Sequence, residues 1–359
     1  MLKQHHQKRV LLGMSGGVDS SVSALLLKQQ GYAVKGVALK LWAFHAENPC
    51  CSTEDLHDAG TAARQVGIDF EVIDMQEEFR QAVVGYYLSE MALGRTPNPC
   101  IVCNDHLKFG LLLDYALKNR YDFVATGHYA RIHADKDGFH LKKAVDRSKD
   151  QSYFLFMLDQ RRLARIIFPL GELDKNTVRD IARNAELITC NKRDSQELCF
   201  LPEGGFKEFS STYSMAVTPR EGSIVNREGT VMGTHRGLPF YTIGQRKGIG
   251  LYTNEPVYVI DKNISENRIT VGTGDGLMAD TFTVANAHWI ADREPAFPSY
   301  AHVRIRYRHT EKRALLDKKD AKIVIKFDSP QRAITPGQAA VFYHDDEILG
   351  GGWIGEVKK

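Results

Sequence analysis

The sequence predicts an α/β fold: a parallel sheet with helices on both faces, followed by a β-rich remainder made of hairpins in a small sheet or barrel. Three observations carry this. Short apolar strands alternate with helix patterns up to about residue 205. Beyond Gly204 the helical periodicity gives way to short alternating strands split by turns. All six cysteines, Cys50, Cys51, Cys100, Cys103, Cys190 and Cys199, lie in the first part. At 359 residues, 43% hydrophobic and 25% charged, the chain has material for two or three cores.

The elements follow in order. Residues 10–13 read as a short buried strand, and residues 20–28 as a helix with Val22, Leu25 and Leu26 on one face. Next come a strand at 34–41, a helix at 53–66 and a strand at 70–73. Helices at 79–91 and 105–117 and a strand at 123–126 complete the alternation, and strands separated by helices imply a parallel sheet. An amphipathic helix at 173–187 has Asp174 or Asn176 as its cap. In the remainder, turns at 227–229, 272–274 and 336–337 separate strands at 256–260, 268–271, 303–307, 321–327 and 338–342. The change of texture places the main break at 205 and a lesser one near 275, giving units of 1–205, 206–275 and 276–359.

The first connection is built for an anion. Ser15 to Ser20 lies between a strand end and a helix start, where unpaired N–H groups and the positive end of the helix dipole converge. Gly16 and Gly17 permit close approach and positive φ, and Ser15, Ser20 and Ser21 add hydroxyl donors. A Walker A loop needs a lysine there, and none lies between Arg9 and Lys28. Ligands of open α/β sheets bind at the carboxyl ends of strands. Leu39, near the end of the second strand, is therefore expected against an adenine, and Gly127, just past the strand at 123–126, beside the nucleotide.

Composition excludes other classes. No apolar run approaches the ~18 residues of a membrane span. The basic N-terminal segment lacks a signal-peptide apolar core, so the expected location is cytoplasmic. A net charge of +3 permits a nucleic-acid partner without demanding one. A β-rich part without cysteine argues for a reducing compartment. Cys100 and Cys103 form a C-x-x-C after Pro97 and Pro99, and Asn104 or Asp105 is read as the cap of a helix starting near His106. That places Cys103 at a helix N-terminus, where thiolate is favoured. A structural zinc site would need a second pair, and Cys190 with Cys199 has the wrong spacing. A c-type haem motif fails at Asn104, which leaves a redox or nucleophilic role.

The run Ser15-Gly16-Gly17-Val18-Asp19-Ser20 resembles the S-G-G-x-D-S signature of the PP-loop ATP pyrophosphatases. These enzymes cleave ATP between the α and β phosphates and adenylate a substrate oxygen. Residues 13–20 together with TPNPCIVCN (96–104), ATGHYAR (125–131), KDQSYFL (149–155), DSQELCF (194–200), YTIGQRKG (241–248) and RYR (306–308) resemble the bacterial tRNA-specific 2-thiouridylases over essentially the whole chain. The resemblance implies a PP-loop α/β domain, a small central domain and a C-terminal antiparallel β-barrel. It also implies ATP-dependent sulfur transfer to C2 of the wobble uridine of glutamate, glutamine or lysine tRNA.

Residue by residue, the resemblance implies an ATP site at Gly13, Met14, Ser15, Gly16, Gly17, Val18, Asp19, Ser20, Leu39 and Gly127, with Asp19 near Mg²⁺. It implies a target-base site at Asn98, Pro99 and Cys100, and tRNA contacts at His128, Lys149, Asp150, Gln151, Arg306, Tyr307 and Gln338. Cys199 would carry a persulfide delivered by a sulfur-relay protein or cysteine desulfurase, with Cys103 as the partner thiol. At position 100 the family often has aspartate, which leaves the role of Cys100 open. From Ala301 to Lys322, eight Lys or Arg against three Asp or Glu suit a phosphate-tracking strand. Three rivals stand beside this reading. One is an amidating PP-loop synthetase, which has no need of Cys103 or Cys199. Another is a [4Fe–4S] cluster on Cys100, Cys103 and Cys199. The third is an RNA- or nucleotide-binding module without turnover.

Overall fold

The computed structural model describes residues 7–42, 53–194, 198–202, 205–212 and 219–358. Its first part contains, in chain order, strands β1 (Arg9–Gly13), β2 (Ala33–Lys40), β3 (Asp69–Asp74), β4 (Phe123–Thr126), β5 (Ala130–Asp135), β6 (Gly138–Lys143) and β7 (Ile166–Ile167). Five of them form a parallel sheet in the order β3-β2-β1-β4-β7. The apolar run of β1 is explained by burial on both faces. Leu11 points into one layer with Val37, Leu39 and Leu107, while Val10 and Leu12 point into the other with Val22, Leu27 and Ala63. A period of two sends successive side chains to opposite faces.

The helices are α1 (Val18–Gln29), α2 (Thr53–Val66), α3 (Gln76–Phe79), α4 (Gly85–Ala92), α5 (Pro99–Val102), α6 (Leu112–Lys118), α7 (Gln160–Leu163) and α8 (Lys175–Asn184). Two wider, π-helical stretches, Arg80–Val84 and Cys103–Leu111, join α3 to α4 and α5 to α6 into continuous rods. The rod from Pro99 corrects the expected start near His106. Pro99 occupies the first turn, where its missing N–H costs nothing, and Asn98 is the cap position. Cys103 therefore lies inside the helix, and Cys100 is the cysteine at its start. Asp174 does cap α8, accepting from Thr177 N at 2.8 Å.

After α9 (Gly205–Thr212), strands β8 (Gly222–Val225), β9 (Val231–His235), β10 (Tyr258–Asn263) and β11 (Arg268–Gly272) make a small sheet in the order β10-β11-β8-β9 over Ile224, Val259 and Ile269. The last strands are β12 (Met278–Trp289), β13 (Ser299–Arg304), β14 (Lys312–Lys319), β15 (Lys322–Arg332), β16 (Ala339–His344) and β17 (Glu347–Lys358). Their order β12-β15-β14-β13-β16-β17 closes through a β12–β17 pairing into a six-stranded antiparallel barrel around Phe282, Val303, Ile325 and Phe342. The antiparallel hairpin β5–β6, absent from the expected alternation, leaves the first part and joins this barrel where Lys142 meets Glu347. Arg306 and Tyr307, expected within a strand, lie beyond the end of β13.

Candidate functional site

β1 ends at the point where strand order reverses, with β2 on one side and β4 on the other, which is where open α/β sheets bind ligands. Gly17 caps α1 without any side-chain bond to the helix N–H groups, leaving them available to an anion. The hydroxyls of Ser20 and Ser21 instead donate to Gly17 O at 3.1 and 3.0 Å, and Ser15 N donates to Ser20 Oγ at 3.2 Å. The Ser20 and Ser21 hydroxyls thus brace the loop from within, while Ser15 is exposed at its surface. Gly16 has φ +73°, and a Cβ there would lie 2.2 Å from Asp55 O, so the first turn of α2 packs directly on the loop. At Gly127 a Cβ would meet Ser20 N at 2.9 Å. The close approach this glycine permits is to α1, beneath Asp19 and Ser20. Leu39, Met14 and Val18 are buried in the apolar layers, and Gly13 ends β1.

Asp19 does not stand alone. Lys175 Nζ lies 2.7 and 2.8 Å from its two carboxylate oxygens, and Tyr129 OH donates to one of them at 2.8 Å. The same ammonium is 2.9 Å from Asp194, which also pairs with Lys149 at 2.8 Å and Arg179 at 3.1 Å. Burial would raise the Asp194 carboxyl, but bonds from Lys149 and Lys175 outweigh it and hold it at about 2. Sequence reasoning missed Lys175. Its signal was positional: a lysine at the first position of a helix sits against the positive end of the dipole, an unfavourable place for a cation. Opposed carboxylates explain it here.

The cysteines converge from two directions. Cys103 is buried in the apolar layer with Leu107, Tyr87 and Phe209. Cys199 is exposed, and the next residue, Phe200, inserts into that same layer with its ring 5.2 Å from Tyr87 and 5.7 Å from Phe209. Burial, reinforced by Cys199 nearby, pushes the Cys100 thiol up to about 11. Cys100 is thus a thiol near neutral pH although it begins a helix. No disulfide links Cys100, Cys103, Cys190 and Cys199. Cys50 and Cys51 lie outside the described residues.

Asn98 and Pro99 are buried beneath the barrel rim, and Gln338 Nε2 donates to Thr96 O at 2.9 Å. Of the residues expected on tRNA, Asp150 is 2% exposed, pairing with Arg304 and bonding Ala144 N and Ser152. Gln151 accepts from Tyr129 N. Both side chains brace the fold. Tyr307 stacks 4.5 Å from Phe154, and Arg306 donates to Arg332 O at 3.0 Å. His128 is buried with Nδ1 2.7 Å from Thr126 Oγ1. Burial, with the charge of Lys108 beside it, drives its pKa well below 6.5, so the ring is neutral.

Asp19 already holds an ammonium on both oxygens, so this conformation does not fit Mg²⁺ at that carboxylate. Among the described residues no three His, Cys, Asp or Glu side chains lie close enough together to hold a metal, so this conformation does not gather Cys100, Cys103 and Cys199 as ligands. No helix among the described residues is long and apolar enough to cross a membrane.

Three family models match the chain: tRNA methyl transferase HUP domain at residues 8–203, tRNA methyl transferase PRC-barrel domain at 212–273, and aminomethyltransferase beta-barrel domain at 279–354. The tRNA-specific 2-thiouridylase MnmA of Streptococcus sanguinis is 45% identical over 98% of this chain and 96% of its own. That of Solibacter usitatus is 44% identical over 97% and 99%. Among solved structures, the U34-tRNA thiolase NcsA from Methanococcus maripaludis with its [4Fe-4S] cluster aligns at TM-score 0.35 and 20% identity, covering 57% of this chain and 63% of that one. That superposition is too distant to carry an argument.

Proposed function

The chain belongs to the tRNA-specific 2-thiouridylases, ATP-using tRNA sulfurtransferases, and from that premise we propose how its residues divide the reaction. ATP binds as substrate with its phosphates on residues 13–20. The wobble uridine, of a glutamate, glutamine or lysine tRNA, enters beside Asn98, Pro99 and Cys100. Its O2 attacks the α phosphate, forming an O2–P bond and releasing pyrophosphate. The outer sulfur of a Cys199 persulfide, supplied by a relay protein or cysteine desulfurase, attacks C2, and AMP leaves with the former O2. Cys103 then attacks the Cys199 sulfur, breaking the S–S bond. Its proton is lost, the electron pair stays on the sulfur now at C2, and a Cys103–Cys199 disulfide remains for an external thiol to reduce. Alternatively, Cys103 reduces the persulfide first and sulfide is the attacking species. A persulfide is a soft nucleophile of low pKa, so the step asks mainly for an activated carbon and proximity.

The observation that supports this division is the shared apolar layer. Cys103 lies within it, and Phe200 anchors Cys199 to it. Units of 1–205 for catalysis, 206–275 as a central module and 276–359 for tRNA contact complete the proposal, with the cytoplasm as location. The test is nucleoside mass spectrometry of unmodified glutamate tRNA incubated with protein, Mg-ATP and a persulfide donor. 2-Thiouridine is expected only with ATP and intact Cys199. Equal product from Cys199→Ser would overturn the cysteine assignment.

A further inference from the structure

The rod that carries Cys100 and Cys103 crosses the carboxyl end of the parallel sheet. A Cβ at Gly13, the last residue of β1, would meet Leu112 of α6 at 3.9 Å, and the Phe109 ring lies 5.8 Å from His128, just past β4. Residues four apart share a helix face, and the wider π turns displace them from it only slightly. Cys100, Asn104, Lys108 and Leu112 therefore form one stripe, running from the proposed base site to the phosphate loop.

Lys108 stands on that stripe as an uncommitted charge. It is half-buried, and among the described residues no carboxylate lies within ion-pair distance of it, Asp105 on the same rod pairing with Arg162 instead. Lys175, by contrast, is held by both Asp19 and Asp194. The Lys108 charge is felt on two sides. At the Cys100 thiol it opposes burial and Cys199, and at the His128 ring it adds to burial. His128 follows Gly127, where a Cβ would meet Ser20 N at 2.9 Å and Asp19 C at 3.0 Å. The ammonium thus faces the interval between the thiols and the first turn of α1.

We propose that Lys108 is a further catalytic residue, its ammonium binding a non-bridging oxygen of the α phosphate. The inference rests on the tRNA-thiolating reading and deepens it. That phosphate has to sit between the phosphate loop and the uridine, because it is joined first to pyrophosphate and then to O2. Lys108 occupies this interval. As O2 attacks, the O2–P bond forms, the bond from the α phosphorus to the bridging oxygen breaks, and pyrophosphate leaves with that electron pair. The ammonium compensates the charge on the remaining phosphate oxygens and keeps its own protons. As sulfur attacks C2, the C2–O2 bond breaks, AMP leaves with the pair, and its phosphate gains a negative charge on the same cation. A cation with no ion pair to break is already in place for both steps.

The test is tRNA-dependent pyrophosphate release from ATP and from its two α-thio diastereomers. Lys108→Met is expected to lower kcat with ATP about 100-fold, and Lys108→Arg, which keeps a cation, to recover part of the loss. Lys108 has no partner to lose, so thermal unfolding of Lys108→Met should match wild type. In wild type one diastereomer should react about tenfold faster than the other, because sulfur replaces the oxygen held by the ammonium in only one of them. Lys108→Met should narrow that preference, which a merely structural role would leave alone. Wild-type kcat in Lys108→Met, or a lowered kcat with the preference unchanged, would overturn the contact and leave the thiolase reading standing. Failure of the wild-type protein to form 2-thiouridine with ATP and a persulfide donor would overturn both.

Discussion

Lys175 joins Asp19 of the phosphate loop to Asp194, the residue that opens the segment leading to Cys199, through contacts of 2.7 and 2.9 Å. A phosphate seated in the loop as proposed would compete with Asp19 and Asp194 for this one ammonium, linking the proposed ATP site to the position of Asp194.

Replacing Lys175 with Met should lower tRNA-dependent pyrophosphate release about 100-fold, the scale of losing one preorganised cation at a reacting phosphate. Asp19 would also lose the ammonium on both its oxygens, while Asp194 would keep Lys149 and Arg179. A steady-state pyrophosphate assay checks this, and unchanged kcat/KM for ATP would count against it.

Gly16→Ala should destabilise the protein by about 2 kcal/mol or more, since alanine is strained at φ +73° and its methyl would collide with backbone. Urea unfolding measures the loss. A control at Gly31, where φ is +85° but nothing lies within 4 Å of the added carbon, should cost less.

Alkylation should follow exposure and thiol acidity. Cys199 is exposed, Cys103 buried, and Cys100 held up to about 11. Brief iodoacetamide treatment at pH 7.5 and peptide mass spectrometry should find Cys199 labelled first. Labelling of Cys100 ahead of it would contradict the assigned environment.

Stability should fall as pH drops below about 6.5. Burial and nearby cations keep His309 neutral down to about 4, and burial with the Lys108 charge holds the His128 pKa well below 6.5. In the unfolded chain both protonate near 6.5, so between these values the unfolded state binds more protons and acid favours it. His309→Gln should flatten the pH dependence of the urea midpoint between pH 6.5 and 4. An unaltered slope would refute it.

Much of this arrangement is legible in the sequence, for identifiable reasons. The strand, loop and helix at the phosphate site are dictated by a local pattern, and the bounds of α2 and β4 match those expected because their apolar period is uninterrupted. The helix at Pro99 was hidden by its polar stretch Asn104-Asp105-His106, tolerated because Asn104 bonds Phe154 O and Asp105 pairs with Arg162. The β5–β6 hairpin was hidden because its charged strands find their partner in a barrel more than 200 residues later. The links from Lys175 join residues 156 and 19 positions apart, and no local pattern encodes them.

The π-helical winding between Cys103 and Leu111 carries a consequence for chain length. Each residue of an α-helix advances the rod by about 100°. A wider turn spreads its rotation over more residues, so deleting one residue within this stretch would let the backbone relax to ordinary winding with little rotation of Cys100 and Cys103 relative to α6. Deleting one from the regular turns of α6 has no such slack and would turn the residues on either side of the gap by about 100° relative to each other. The π-helical stretch is thus the part of the rod where a one-residue change in length leaves the thiol that shares a layer with Phe200 facing the same way.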